Sequence, residues 1–118
     1  LLQWLNEQVF PFEAKLTADD IYSLSKLAIL EYVTSGITSV MEMYMQPEAI
    51  AQAFEEMGMR IVQVGAANNF SQSTELVEHW LTSLNGNSEL TGFRIGFHAE
   101  YTSPAGLHPY FGRTAGGG

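Results

Sequence analysis

The sequence predicts an α/β fold: about three parallel strands with flanking helices. Three observations carry that expectation. Apolar, β-prone runs at 37–44, 60–65 and 93–99 alternate with segments of helical periodicity, and strands separated by helices imply right-handed crossovers and a parallel sheet. The helical segments carry start and stop residues in the right places. Apolar residues make up 46% of the 118 residues and charged residues only 15%, which describes a chain that buries a core rather than a disordered one.

The elements follow in order. Leu1 to about Val9 reads as a short helix ended by Pro11. Thr17-Ala18-Asp19-Asp20 starts a long helix: Thr17 caps it, and two carboxylates lie in the first turn, where the helix dipole favours them. Apolar residues recur at Ile21, Leu24, Leu27, Ala28 and Leu30, and Gly36 stops the helix near residue 35. Ile37 to Tyr44 is the first strand. Gln46-Pro47-Glu48 opens the next helix, with Ile50, Ala53, Phe54 and Met57 as its apolar stripe and Gly58 as its end. Arg60 to Gly65 is the second strand. Asn68-Asn69-Phe70-Ser71 is a capping loop, and a helix runs from Ser71 to about Leu84 with Leu76, Val77, Trp80, Leu81 and Leu84 on one side. Asn85-Gly86-Asn87 ends it. Phe93 to Ala99 is the third strand.

Three parallel strands cannot close a barrel, and they leave two edges open. More chain or another subunit is expected to complete the sheet, so a homo-oligomer is one expected arrangement. From Ser103 the pattern loses its period. Residues 105–118, ending Gly116-Gly117-Gly118, read as an irregular, mobile, Gly-rich tail, separate from a unit over 1–104.

Charge excludes several functions. Five Lys and Arg stand against 13 Asp and Glu, a net charge of −8, so no basic patch is available for nucleic acid or for anionic lipid. The absence of cysteine excludes disulfides, thiolate nucleophiles and Cys-type zinc sites, and accords with a cytoplasmic protein. No stretch approaches the roughly 18 apolar residues of a membrane span. Leu1-Leu2-Gln3-Trp4 lacks a cationic n-region and reads as a chain entered in mid-sequence rather than as a signal peptide.

Four places could carry chemistry. His98 follows the apolar run Phe93-Arg94-Ile95-Gly96-Phe97, at the end of a parallel strand where α/β proteins place their sites. With Glu100 two residues on it could move a proton, although it reads equally as a histidine satisfied by its surroundings. Glu42, inside an apolar strand, either reaches a polar barrel mouth or is partly exposed. Trp4 could stack on a heterocycle and Glu13 accept a hydrogen bond from it, against plain roles as a packing anchor and a solvated carboxylate. Glu31 reads as an exposed or paired helical carboxylate, and the five methionines as core filler. There is no phosphate loop, nucleophile elbow, His-x-His or His-Glu-x-x-His.

Several segments read together resemble a known family. Leu2-Gln3-Trp4-Leu5, Pro11-Phe12-Glu13-Ala14-Lys15-Leu16-Thr17, Ala28-Ile29-Leu30-Glu31, Ser35-Gly36-Ile37-Thr38, Met43-Tyr44, Gly58-Met59-Arg60 and Gly96-Phe97-His98-Ala99-Glu100-Tyr101-Thr102 occur in that order. This pattern, over about residues 1–104, resembles the amidohydrolase superfamily, in its branch of S-adenosylhomocysteine/methylthioadenosine deaminases, guanine deaminases and chlorohydrolases.

The resemblance implies a partial (β/α)8 barrel, with the three strands as its second to fourth. It implies a divalent metal, zinc by preference, which activates water in the intact enzyme, and a small-molecule substrate with a purine- or triazine-like ring. The family's metal ligands and its proton-shuttling Glu sit on other strands, so none is expected here, and the isolated chain is expected to be inactive. Trp4, Glu13 and His98 match the family's substrate-contacting positions. Some members hold a substrate carboxylate with arginines after the third strand, whereas Val64-Gly65-Ala66-Ala67-Asn68-Asn69 carries none.

The alternative is a non-catalytic α/β module that self-associates, or docks to a partner, through its open sheet edges. An independent small enzyme using His98 and Glu100 as an acid–base pair has neither a nucleophile nor a cofactor motif to support it.

Overall fold

The computed structural model describes residues 1–68 and 71–99. The element order is α1 (Leu2–Trp4), a π-helical turn (Leu5–Val9), α2 (Phe10–Glu13), α3 (Ala18–Thr34), β1 (Ser39–Glu42), α4 (Pro47–Met57), β2 (Arg60–Gly65), α5 (Thr74–Leu84) and β3 (Thr91–Ile95). The strands form one parallel sheet in the order β1-β2-β3. The α/β expectation therefore holds. The tail at 105–118, together with Glu100, lies outside the described residues.

Register assigns the two faces. Val40 pairs with Ile61 and Glu42 with Gln63; Ile61 pairs with Thr91 and Gln63 with Phe93. Paired residues of a parallel ladder share a face. On this face Ile61 meets Ile21 and Ile29 of α3 and Ile50, Ala53 and Phe54 of α4. Phe93 meets Val77, Trp80 and Leu84 of α5. The opposite face carries Met41, Val62, Val64, Gly92 and Arg94, and no described helix covers it.

Local chemistry sets the element ends. At α3, the Asp20 amide donates to Thr17 Oγ1 (3.2 Å) and the Thr17 amide to Asp20 Oδ2 (2.9 Å), a reciprocal capping box. At its other end Ile37 N–H reaches Tyr32 O (2.9 Å) and Gly36 N–H reaches Val33 O (3.1 Å), with Gly36 at φ +80°. That Schellman closure needs a left-handed residue, which is why glycine stops the helix.

Several expected boundaries move. Pro11 does not end the first helix. The Phe10 amide bonds Leu5 O in π register, and Pro11 then falls in the first turn of α2, where no N–H donor is required. β1 is shorter than 37–44. Helix α5 begins after Ser73, whose Oγ accepts from Leu76 N (3.2 Å), and not at Ser71. β3 runs over Thr91–Ile95 instead of 93–99, because its first residue pairs with Ile61.

The apolar stripes also shift. Leu24, Leu27 and Leu30 point outward, and Ile21 and Ile29 form the buried face of α3. Among the methionines only Met59 is buried, so the core-filler reading fails for the set; Met41 is 74% exposed because it lies on the uncovered sheet face. Met57, expected in the α4 stripe, is outward at the last turn. Among the described residues no helix is long and apolar enough to cross a membrane.

A polar strap joins α3 to α4. Lys26 and the Tyr22 hydroxyl both meet Glu56 Oε2, and Gln52 Nε2 donates to Glu56 Oε1 (3.0 Å). The Lys26 ammonium, then the Tyr22 and Gln52 donors, pull the Glu56 carboxyl down to about 2. A lowered carboxyl contributes stability above its ordinary value of about 4.3 and loses it as pH falls toward 2. Glu56→Gln should thus be less stable than wild type at pH 6, with the gap closing between about pH 4.5 and 2. Urea unfolding midpoints across that range check this. The effect is small, because the strap is solvent-accessible.

Candidate substrate site at the carboxyl end of the sheet

Parallel strands present their carboxyl ends along one edge, so the segments after β1, β2 and β3 lie together. After β1 come Met43, Tyr44 and Gln46, and Gln46 takes a left-handed φ of +57° that turns the chain into α4. After β2, Asn68 Oδ1 accepts from the amides of Ser71 (2.7 Å) and Gln72 (3.2 Å), while Gln72 Oε1 accepts from Ala66 N (3.0 Å). These reciprocal side chain–backbone bonds fix the start of that loop.

Glu13 reaches this edge from the other end of the chain. It ends α2, and Leu16 just beyond packs against the α3–α4 core beside Tyr44. The Tyr44 hydroxyl donates to Glu13 Oε1 at 2.7 Å. Burial first, then the hydrogen bond and charge of Glu13 and the charge of Glu42, push the Tyr44 phenol up to about 12. The phenol is therefore a proton donor to Glu13 at any physiological pH.

His98 lies three residues past the end of β3, exposed, and not on the strand as expected. The route to it is tight. The Gly96 amide donates to Gly65 O at 2.8 Å, extending the ladder by one rung. A Cβ on Gly96 would stand 2.2 Å from Val64 Cγ1 and 3.5 Å from Met43 Cε. Only glycine permits that approach.

The structure places the three expected substrate residues unequally. Glu13, held by Tyr44 just after β1, and His98, just after β3, both lie at the carboxyl edge. Those strands are about 10 Å apart across β2. Trp4 sits on α1 with 57% of its surface exposed, and Glu13 accepts a hydrogen bond from Tyr44. Glu42 does not face a barrel mouth. It pairs with Gln63 on the helix-covered face, and its Oε1 accepts from Met43 N (3.1 Å). The expected partner of His98, Glu100, lies outside the described residues.

Sequence reasoning did not single out Tyr44, the hydrogen-bond donor to Glu13. The available signal was a hydroxyl-bearing aromatic just past a strand's carboxyl end. Among the described residues no group of three His, Cys, Asp or Glu could hold a metal ion, so these residues do not fit the zinc that the family resemblance implies.

The topology defines a class first: a parallel α/β segment with its polar groups at the carboxyl edge. Known proteins narrow it. The chain is 39% identical over 112 residues to a 5-methylthioadenosine/S-adenosylhomocysteine deaminase of Syntrophomonas wolfei, covering 88% of this chain and 25% of that protein. Its fold matches an adenosine deaminase from Xanthomonas campestris solved with bound zinc, with a TM-score of 0.78, 22% identity, and coverage of 97% of this chain and 28% of the other. It also matches a triazine hydrolase from Arthobacter aurescens, with a TM-score of 0.73, 17% identity, and coverage of 98% and 32%. No protein-family model matches the chain. These relatives and structural neighbours indicate the amidohydrolase superfamily, as the resemblance implied. It spans about a quarter of the length of the curated relatives it matches.

Gly96→Ala should lower the unfolding free energy measured in urea by about 1–3 kcal/mol, as overpacking does, and shift the His98 ring resonances. Unchanged stability with unchanged His98 resonances would contradict the close approach.

Proposed function

We propose that β1, β2 and β3 are the second, third and fourth strands of a (β/α)8 barrel, and that the chain supplies the substrate-facing part of a zinc-dependent amidohydrolase. That enzyme would hydrolytically deaminate a purine-like ring, or dechlorinate a triazine-like one. The observation that carries the reading is the Glu13 carboxylate fixed at the carboxyl edge of the sheet by Tyr44. The deaminase names of the relatives support it.

In this reading Glu13 accepts a hydrogen bond from the substrate. His98 donates or accepts at the opposite side of the edge, and Trp4 stacks on the heterocycle once the ring lies against α1. In this reading the donor set for zinc belongs to other parts of the barrel. The absence of an arginine after β2 favours a nucleoside without a carboxylate arm, so 5′-methylthioadenosine is a better probe than S-adenosylhomocysteine.

A second reading draws on the uncovered sheet face and the outward Leu24, Leu27 and Leu30. These surfaces suit a non-catalytic module that associates with a second copy. A monomer by sedimentation counts against it.

After dialysis against zinc, the chain alone should hold near-zero metal by elemental mass spectrometry. It should also release no ammonia from adenosine, 5′-methylthioadenosine or guanine. About one tightly held ion per chain, or measurable ammonia, would overturn the assignment of the hydrolytic centre to other strands.

A further inference from the structure

We infer that Tyr44 is a positioning residue: its hydroxyl pins Glu13 Oε1 and leaves Oε2 presented to a hydrogen-bond donor on the substrate. The inference rests on the reading of Glu13 as a substrate-binding residue.

Glu13 ends a four-residue helix whose main contacts are with the π-helical turn beside it. Such a short element sets a glutamate's position poorly, and a free glutamate side chain samples many rotamers. Two contacts remove that freedom. Leu16 anchors the turn after α2 on the α3–α4 core, and Tyr44, 31 residues away in sequence, packs against the same core and donates to Oε1 at 2.7 Å.

The donor is fixed in turn. Tyr44 lies two residues past the end of β1, between the ladder and the left-handed Gln46 that starts α4. Among the described residues Glu13's carboxylate receives no hydrogen bond other than Tyr44's. One oxygen is held and the second remains to accept. Glu56 provides the contrast, because Lys26, Tyr22 and Gln52 occupy both of its oxygens in a strap between helices.

The test titrates 5′-methylthioadenosine into the full chain by NMR, for wild type, Glu13→Gln, Tyr44→Phe and the double variant. Tyr22→Phe, which breaks a Tyr–Glu contact in the α3–α4 strap, controls for folding. Each single site variant should weaken binding about fivefold, as expected for one lost hydrogen bond. The double variant should be no weaker than either single one, and Tyr22→Phe should bind as wild type does. In ultraviolet titration of Glu13→Gln, the tyrosine at about 12 should titrate lower. Tyr44→Phe binding as wild type while Glu13→Gln weakens would overturn the positioning role and leave the reading of Glu13 intact. A roughly 25-fold loss in the double variant would mean the two act independently, and would also overturn it. Unaltered binding by Glu13→Gln, or no binding by wild type, would remove the reading of Glu13 and the inference with it.

Discussion

The packing of one sheet face against α3, α4 and α5 is the constraint on which the other features depend. Ile61 and Phe93, each 1% exposed, lie under that layer, and Ile29 and Val77 are fully enclosed above it. Burial of such side chains is worth roughly 1.5–3 kcal/mol each, far more than any hydrogen bond at the carboxyl edge. Once that face is fixed, the register follows, since a one-residue slip would turn the buried Ile61 of β2 or Phe93 of β3 out of the core. The carboxyl ends of the strands are then aligned, and the segments carrying Tyr44, Asn68 and His98 emerge together.

The same constraint explains what stays bare. Parallel sheets are normally covered on both faces, and here the face with Met41, Val62 and Val64 has no described cover. Among the described residues both outer strands also keep an unpaired edge. A span of about a quarter of the relatives' length accords with this, because a closed barrel buries that inner face with side chains from its other strands. The helical stretch from Leu2 to Glu13, with Trp4, Phe10 and Phe12 outward, shows the same shortage of partners.

Much of the fold was legible because its signals are local. Thr17 with Asp20, Gly36, Pro47 and Gly58 marked helix ends through capping and left-handed geometry, which neighbouring residues dictate. β2 was read to the residue, because its apolar run is bounded by Arg60 and closed by Gly65. Features that depend on the third dimension were not legible. Periodicity does not say which side of α3 meets the core: Leu24, Leu27 and Leu30 recur at helical spacing yet face outward. Pro11 looked like a stop because the π register before it leaves no local mark. His98 was legible from its place after an apolar strand and Glu13 as a possible acceptor beside Trp4, and the family pattern then tied both to substrate contact. Tyr44 escaped because its partner lies 31 residues away.

The central claim is that this chain carries the substrate-facing groups of a deaminase-type barrel without its hydrolytic centre. Amide and side-chain chemical-shift mapping with 5′-methylthioadenosine tests it most directly. The account predicts shifts concentrated at Trp4, Glu13, Tyr44 and His98, with the opposite end of the sheet, at Asn85 and Gly86, unmoved. Shifts confined to that opposite end, or none at millimolar nucleoside, would contradict it.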